Sequence, residues 1–434
     1  MLNNKVVAGS LSLALLAAPS LFGLDVASAA AYTKAAKKPT FTISGAVNAA
    51  VRHVDNNLGL RTDSNVLVGQ TYSDFEDSYL QAVASGHSGG FGLTGILRLS
   101  SRLNSFLRHD EDNRFVSDTA TGMDDEVYLR AADVRLKHKS FGEFRIGKSS
   151  TGTGESTKAN FANTGYFRGD ITNIAGVNLG GVTGAVPTEL AGNTFGAYEL
   201  NGSKHRIQYN APTFVDGLTL SAEYVSQSDS GAGTHVAHDN LGFSGSFKTS
   251  VSGVDLDVRA GYTSRAHDVA YRRDANGLTL THTDGASPVH LHALGASAAF
   301  KVQGFDGSFA YSKLDPQDVG ASTVVANLIT ADQITTKHGW KAATLTAFEL
   351  GYTADVMDLG KISMNVEMAT SKNFRNDDSE ATVKGARLAH DLGPVKLYGV
   401  YHQTSFKGFK TVQHGTNALA KDVDSWIVGA YYKF

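Results

Sequence analysis

The sequence predicts an all-β protein, a transmembrane antiparallel β-barrel of about 16 strands with short turns at one end and long loops at the other. Three observations predict it. Apolar and polar residues alternate along segment after segment of the 434 residues, the pattern of a sheet whose two faces meet different surroundings. Long and short connections take turns, as they do when hairpins follow one another around a sheet. No segment beyond the amino-terminal leader approaches the roughly 20 apolar residues of a membrane helix.

Composition fits this class and excludes others. Hydrophobic residues make up 41% and charged residues 19%, yet mean hydropathy is only -0.17, because the apolar residues are interleaved with polar ones. There are 46 Gly but only 7 Pro, as expected where turns need permissive backbones and strands need every N–H for the ladder. Cysteine is absent, which removes disulfides and thiolate metal sites. A formal net charge of -3 indicates neither a nucleic-acid partner nor a polybasic membrane-surface protein.

At the start, Lys5 precedes an apolar run from Val6 to Leu24, and Ala27-Ser28-Ala29 supplies small residues for cleavage. Residues 1–29 therefore read as a secretory signal peptide. Residues 30–40 are a short lead-in, and 41–434 form one barrel domain with no linker dividing it.

The strands follow in order. Phe41, Ile43, Val47, Ala49 and Val51 share one face, and Thr42, Ser44, Asn48 and Arg52 the other. After a polar loop at about 55–77, strands run from Ser78 to His87 and from Gly92 to Arg102 around the tight turn Ser88-Gly89-Gly90. A second long loop leads to ADVRLKHK, a short turn at Ser140–Gly142, and EFRIGK. Later strands centre on 206–209, 218–224, 243–247, 256–262, 291–300, 308–311, 348–352, 362–368, 383–388, 395–401 and 426–434. Short turns fall near 212–217, 250–253, 303–307, 355–360 and 392–394.

Alternation also fits a soluble sandwich. Three features favour the membrane. Strands of about 10 residues tilted near 45° rise roughly 23 Å, close to the apolar band of a membrane barrel. Tyr209, Tyr224, Tyr262, Phe300, Tyr311 and Tyr352 stand toward strand ends, where an interfacial girdle would place them. The polar face carries full charges in mid-strand, at Arg98, Arg135, Arg145, Arg206, Glu223, Arg259, Glu349 and Glu367, which would line water inside a barrel.

The final strand, Asp424 to Phe434, puts Trp426, Val428, Ala430, Tyr432 and Phe434 on one face and Ile427, Gly429, Tyr431 and Lys433 on the other. An apolar strand of this kind needs a partner on each edge, which closure of a barrel provides. It resembles the C-terminal signature of bacterial outer-membrane barrels. That resemblance implies that Trp426, Val428, Tyr432 and Phe434 act as an insertion signal read by the barrel-assembly machinery.

One connection, Ser149 to Gly202, is far longer than the rest and rich in Gly, Ala, Thr and Asn. A loop of that length is functional or an unconstrained surface loop, and composition alone leaves both readings open. Around it, Tyr209, Pro212, Phe214, Gly217 and Leu218 occupy the positions of a Tyr-x-x-Pro-x-Phe-x-Gly-Leu pattern and resemble the sixth and seventh strands of the Gram-negative general diffusion porins. Phe141 to Gly152, FGEFRIGKSSTG, is similar to that family's turn and following strand.

The resemblance spans essentially the whole chain after the leader. It implies short periplasmic turns, long outer loops, a third outer loop folded into the lumen, and a homotrimer in the outer membrane of a Gram-negative bacterium. Carried over, the loop 149–202 would bring Glu155, Lys158, Arg168, Asp170, Glu189 and Glu199 to a constriction. Its acids would face a basic wall drawn from Arg52, Arg98, Arg135, Arg145, Lys204 and Arg206. The loop departs from the family pattern in lacking an acidic-rich tip and in its length.

Such a waist would sieve by width and bias passage by charge. Unit charges about 10 Å apart interact by ~0.4 kcal/mol in water and ~1.7 kcal/mol at an effective dielectric near 20. The implied function is passive diffusion of small hydrophilic solutes and ions, with no cofactor, no metal and no catalysis. Partners are outer-membrane lipid and those solutes, with no nucleic acid.

Other constellations lead nowhere specific. His290 and His292 share a strand face but lack a third ligand at a recognisable spacing. Gly152 and Gly154 are followed by Thr157 where a dinucleotide fingerprint needs glycine. No Gly-x-Ser-x-Gly elbow occurs. Two alternatives to the diffusion channel stay open: a substrate-selective outer-membrane channel, and a plugged barrel serving as an adhesin or structural protein.

Overall fold

The computed structural model describes residues 39–56, 65–69, 78–101, 127–162, 203–228, 236–267, 270–274, 277–281, 289–317, 342–356, 360–373, 380–407 and 422–434. These form β1 (Thr40–Asn56), β2 (Asn65–Gly69), β3 (Ser78–Ser88), β4 (Phe91–Ser101), β5 (Val127–His138), β6 (Gly142–Ser150), β7 (Ser203–Asn210), β8 (Leu218–Ser228), β9 (Val236–Val251) and β10 (Val254–His267). There follow β11 (Ala270–Asp274), β12 (Gly277–Thr281), β13 (Val289–Val302), β14 (Phe305–Gln317), β15 (Ala343–Asp355), β16 (Lys361–Lys372), β17 (Glu380–Asp391), β18 (Val395–Lys407) and β19 (Val423–Lys433). Sixteen of them close an antiparallel barrel. The additions are β2, which pairs with the outer half of β1, and the separate hairpin β11–β12.

Closure is made by the first and last strands. β1 pairs with β19 from Ala46↔Lys433 to Asn56↔Val423, and Gly45 and Phe434 exchange backbone hydrogen bonds of 2.9 and 3.0 Å. The lower half of β1 pairs with β3. Neither edge of the final strand is left open, since β18 lies on its other side.

Turn chemistry explains the tight end of the barrel. Gly89–Gly90, Ser252–Gly253 and Gln303–Gly304 each have two successive residues at positive φ, the requirement of the two-residue hairpin whose twist matches its strands. Ser252 and Gln303 show that only the second position of each pair has been kept as glycine throughout.

Register decides the faces, and they agree with the alternation read from sequence. Phe41, Ile43, Val47 and Val51 on β1, Leu350 on β15, Met364 and Val366 on β16 and Val428 on β19 all point outward and are exposed. Such a belt would be untenable in water and suits hydrocarbon. Rings pair along it, with Phe144 on Tyr209, Phe305 on Tyr352, Phe309 on Phe348 and Tyr401 on Trp426. His292 also points outward, in contact with Tyr262.

The inner face of the described residues is mostly polar, with buried apolar patches that include one at the seam. Ala46, Ala50, Ala389, Tyr398, Val400, Ile427 and Tyr431 form a buried apolar cluster there, with Tyr79 packed against it. Tyr398 donates to Asn48 Oδ1 at 2.7 Å, so its hydroxyl is satisfied within the wall.

Three sequence expectations need correction. Residues 65–69 and 270–281 lie in stretches read as loop but contain β2, β11 and β12. Several strands outrun their predicted centres, most of all β9, β14 and β15. The turn expected at 303–307 is confined to 303–304, because β14 begins at Phe305. The leader and lead-in, up to residue 38, lie outside the described residues.

Candidate functional site: the inner wall and the loop that lies on it

After β6 the chain turns inward. Residues 151–162 run along the inner wall, crossing from β8 to β15. A tight turn begins the segment, with Gly154 N–H donating to Thr151 Oγ1 at 2.9 Å and Ser156 N–H to Thr153 O at 3.1 Å. Amides exposed by such a turn need an acceptor when buried. Glu223 on β8 supplies it, accepting from Gly152 N–H at 2.8 Å, from Thr153 N–H at 3.4 Å and from the Thr153 hydroxyl.

Further anchors follow around the wall. On β10, Arg259 donates to Glu155 O at 3.2 Å and lies 3.6 Å from its carboxylate. Gly261 leaves the room in which Ser156 sits, since a Cβ there would come within 2.8 Å of Ser156 Cβ. On β13, Ser297 Oγ donates to Ser156 O at 2.8 Å and accepts from Ala159 N–H at 3.0 Å. On β15, Glu349 accepts from Asn160 Nδ2 at 2.9 Å.

The basic candidates occupy inward positions on neighbouring strands. Arg135 and Arg145 stand directly opposite each other on β5 and β6. Each is clasped by an acid two residues earlier on its own strand, Arg135 Nε by Asp133 at 2.7 Å and Arg145 Nε by Glu143. Arg206 on β7 is buried, donating to Gln208 Oε1 at 2.7 Å and Ser149 Oγ at 2.6 Å, with Asp133 at 4.0 Å. Gln208 continues to Asn210, and Asn210 to Glu143, at 2.6 and 3.1 Å. Arg98 on β4 lies over the ring of Tyr79, 3.8 Å from its centroid.

Of the loop residues expected at the constriction, Glu155 and Lys158 are described. They pair with each other at 3.1 Å, and the wall arginine that meets Glu155 is Arg259 rather than Arg98, Arg135, Arg145 or Arg206. Arg168, Asp170, Glu189 and Glu199 lie outside the described residues, as do the side chains of Arg52 and Lys204. The backbone register puts Arg52 opposite Ile427 and Lys204 opposite Ser149.

A second polar network faces this one. Glu349 also accepts from Ser308 Oγ at 3.3 Å and from Asn365. Its cross-strand neighbour Glu367 holds Arg387 Nε at 3.1 Å and His402 Nε2, all three side chains fully enclosed. Sequence reading placed Glu223, Arg259, Glu349 and Glu367 on the inner face, but nothing in their spacing marked them as anchors. Arg387 and His402 carried no signal beyond strand parity.

Among the described residues no group of His, Cys, Asp or Glu is arranged to hold a metal ion. Among the described residues no helix is long and apolar enough to cross a membrane, which does not bear on strands. The geometry is that of a closed sheet with an apolar exterior, a charged interior and a loop laid against the inside. A family model described as Gram-negative porin matches residues 14–408.

The chain belongs to the Gram-negative porin family.

Solved structures share the porin's fold. The anion-selective porin from Comamonas acidovorans is 17% identical, with a TM-score of 0.56 over 92% of this chain and 100% of that one. A loop L8 deletion mutant of OmpT, an outer membrane protein of Vibrio cholerae, is 12% identical with a TM-score of 0.53 over 92% and 100%. The outer membrane channel DcaP of Acinetobacter baumannii is 9% identical with a TM-score of 0.53 over 93% and 100%. A search of curated proteins by sequence finds no match. Family and fold make this porin an outer-membrane channel.

Proposed function

We propose that this porin passes small hydrophilic solutes and ions by passive diffusion, and that the loop following Ser150 narrows its passage. The observation that supports the reading is the path of residues 151–162, held to inward-facing side chains on β8, β10, β13 and β15. A surface loop would have no use for these anchors. Fixed charges on either side of such a waist would orient polar solutes and select by size and sign without tight binding.

Purified protein in planar bilayers should give stepwise, ohmic conductance. Deleting residues 163–202 should raise the unit conductance, whereas an adhesin or plugged barrel would show no conductance to raise and would lose attachment instead. Saturation of flux by one solute class would favour a substrate-selective channel.

The proposal extends to maturation and assembly. Residues 1–29 would be removed on export, leaving 30–40 as a lead-in to a single barrel domain, 41–434. Trp426, Val428 and Tyr432, outward on β19, and the exposed Phe434 that follows it would be read by the barrel-assembly machinery. A homotrimer is supported by the in-vitro folded OmpT of Vibrio cholerae, whose structure is described as a trimer form. A particle mass of one barrel in mild detergent would refute the trimer.

A further inference from the structure

The sequence treats Arg98, Arg135 and Arg145 alike, and the structure separates them. Arg135 and Arg145 each have a carboxylate at hydrogen-bonding reach on their own strand. Arg206 shares Asp133 with Arg135, Arg259 is clasped by Asp257 at 2.7 Å and neighbours Glu155, and Arg387 is matched by Glu367. Seen from the axis, Arg145, Arg259 and Arg387 are each a dipole whose field falls off quickly, and the second cation on Asp133, Arg206, is wholly enclosed in the wall.

Arg98 is different. Its cross-strand neighbours are Gln81 on β3 and Ala131 on β5, both uncharged. Among the described residues no carboxylate stands within 4.0 Å of its guanidinium, and the nearest rung with an acid, Ile96↔Asp133, has that acid engaged by Arg135. What holds Arg98 is the Tyr79 ring, whose negative face attracts the cation without cancelling its charge. Its Nε is enclosed without a hydrogen-bond partner, while the residue as a whole is only half-buried. A guanidinium carries a planar Nη fork whose geometry matches a carboxylate.

We propose that Arg98, stacked on Tyr79, is a specificity-determining cation of the lumen, biasing its ion preference and docking carboxylate-bearing solutes in transit. This rests on the diffusion-channel reading above and names a group through which that channel discriminates. The paired arginines contribute less, because an approaching anion meets the partner carboxylate together with the guanidinium.

The test uses the full chain in planar bilayers. Reversal potentials in a potassium chloride gradient give the chloride-to-potassium permeability ratio, and chloride current with rising acetate at constant ionic strength gives block by a carboxylate. Arg98→Gln should lower the ratio about tenfold, because losing one unit charge roughly 6 Å from a passing ion in water hinders the anion and favours the cation by about threefold each, and should abolish acetate block. Arg98→Lys should keep the ratio and weaken the block, since the charge stays and the planar fork is lost. The double variant Glu143→Gln with Arg145→Gln should shift the ratio less than half as much as Arg98→Gln and retain the block.

Loss of acetate block in the double variant, or an Arg98→Gln channel with unchanged ratio and block, would overturn the assignment while leaving the diffusion channel standing. A silent wild-type bilayer would overturn both.

Discussion

Two arcs of the inner wall use the same chemistry for opposite ends. In β5 and β6, arginine and acid sit two residues apart on one strand, as Asp133 with Arg135 and Glu143 with Arg145. The Arg side chains there are 30% and 24% exposed. In β16 to β18 the pair is built between strands, Glu367 reaching Arg387 and His402, and no member has exposed surface. A same-strand pair forms wherever the strand forms and commits nothing else. A cross-strand pair exists only when three strands are in register, so it stitches the wall that carries Glu349, the far anchor of the inward loop. On the channel reading proposed above, one arc would tune the water in the passage and the other would hold it open at a fixed width.

The sharpest way to break this comparison is Glu367→Ala. It removes the carboxylate shared by enclosed Arg387 and His402, and a cost of about 3–5 kcal/mol is expected, read as a lower urea midpoint for loss of the compact, heat-modifiable band. A second substitution checks that the arcs lie inside at all. Val428, outward on β19 and exposed, should cost about 2–4 kcal/mol as Arg if that face meets hydrocarbon near mid-bilayer. An indifferent barrel would mean that face is wet.

Smaller effects separate holding from tuning. Glu349→Gln puts a donor in place of one of the two oxygens that accept from Asn160, Ser308 and Asn365, worth about 1–2 kcal/mol, and is expected to leave the barrel intact while making the single-channel current noisier. Quiet records at unchanged conductance would deny Glu349 its part in fixing the loop. The smallest change belongs to Arg145→Gln, whose partly exposed pair should add less than about 1 kcal/mol to stability. A large loss there would mean the two arcs are not different in kind.

Most of the fold was legible because lipid writes a strong pattern. Wherever a strand crosses hydrocarbon, parity is enforced on every second residue, and the centres of all sixteen barrel strands follow from it. The pattern fades where strands rise beyond the apolar band. That is why β9, β14 and β15 were read too short, and why β2, β11 and β12 were read as loop.

The site was legible only in part. Parity placed Arg98, Arg135, Arg145 and Arg206 on the inner face, but which carboxylate each one meets depends on rotamers and on register between strands distant in sequence. Glu223 and Glu349 looked like ordinary water-lining acids. Their task is visible only once Gly152, Thr153 and Asn160 are found beside them, and Arg259 emerged as the neighbour of Glu155 by the same route.

The seam between β1 and β19 has a consequence in time. One edge of Ala46 to Asn56 is completed by Val423 to Lys433, separated from them by almost the whole barrel sequence, so the first strand to emerge is among the last to be finished. Until then its open side is a template for any passing strand, including one from another copy. A chain built this way has to be kept from pairing prematurely while it travels, and a break anywhere near its far end leaves the near end unfinished as well.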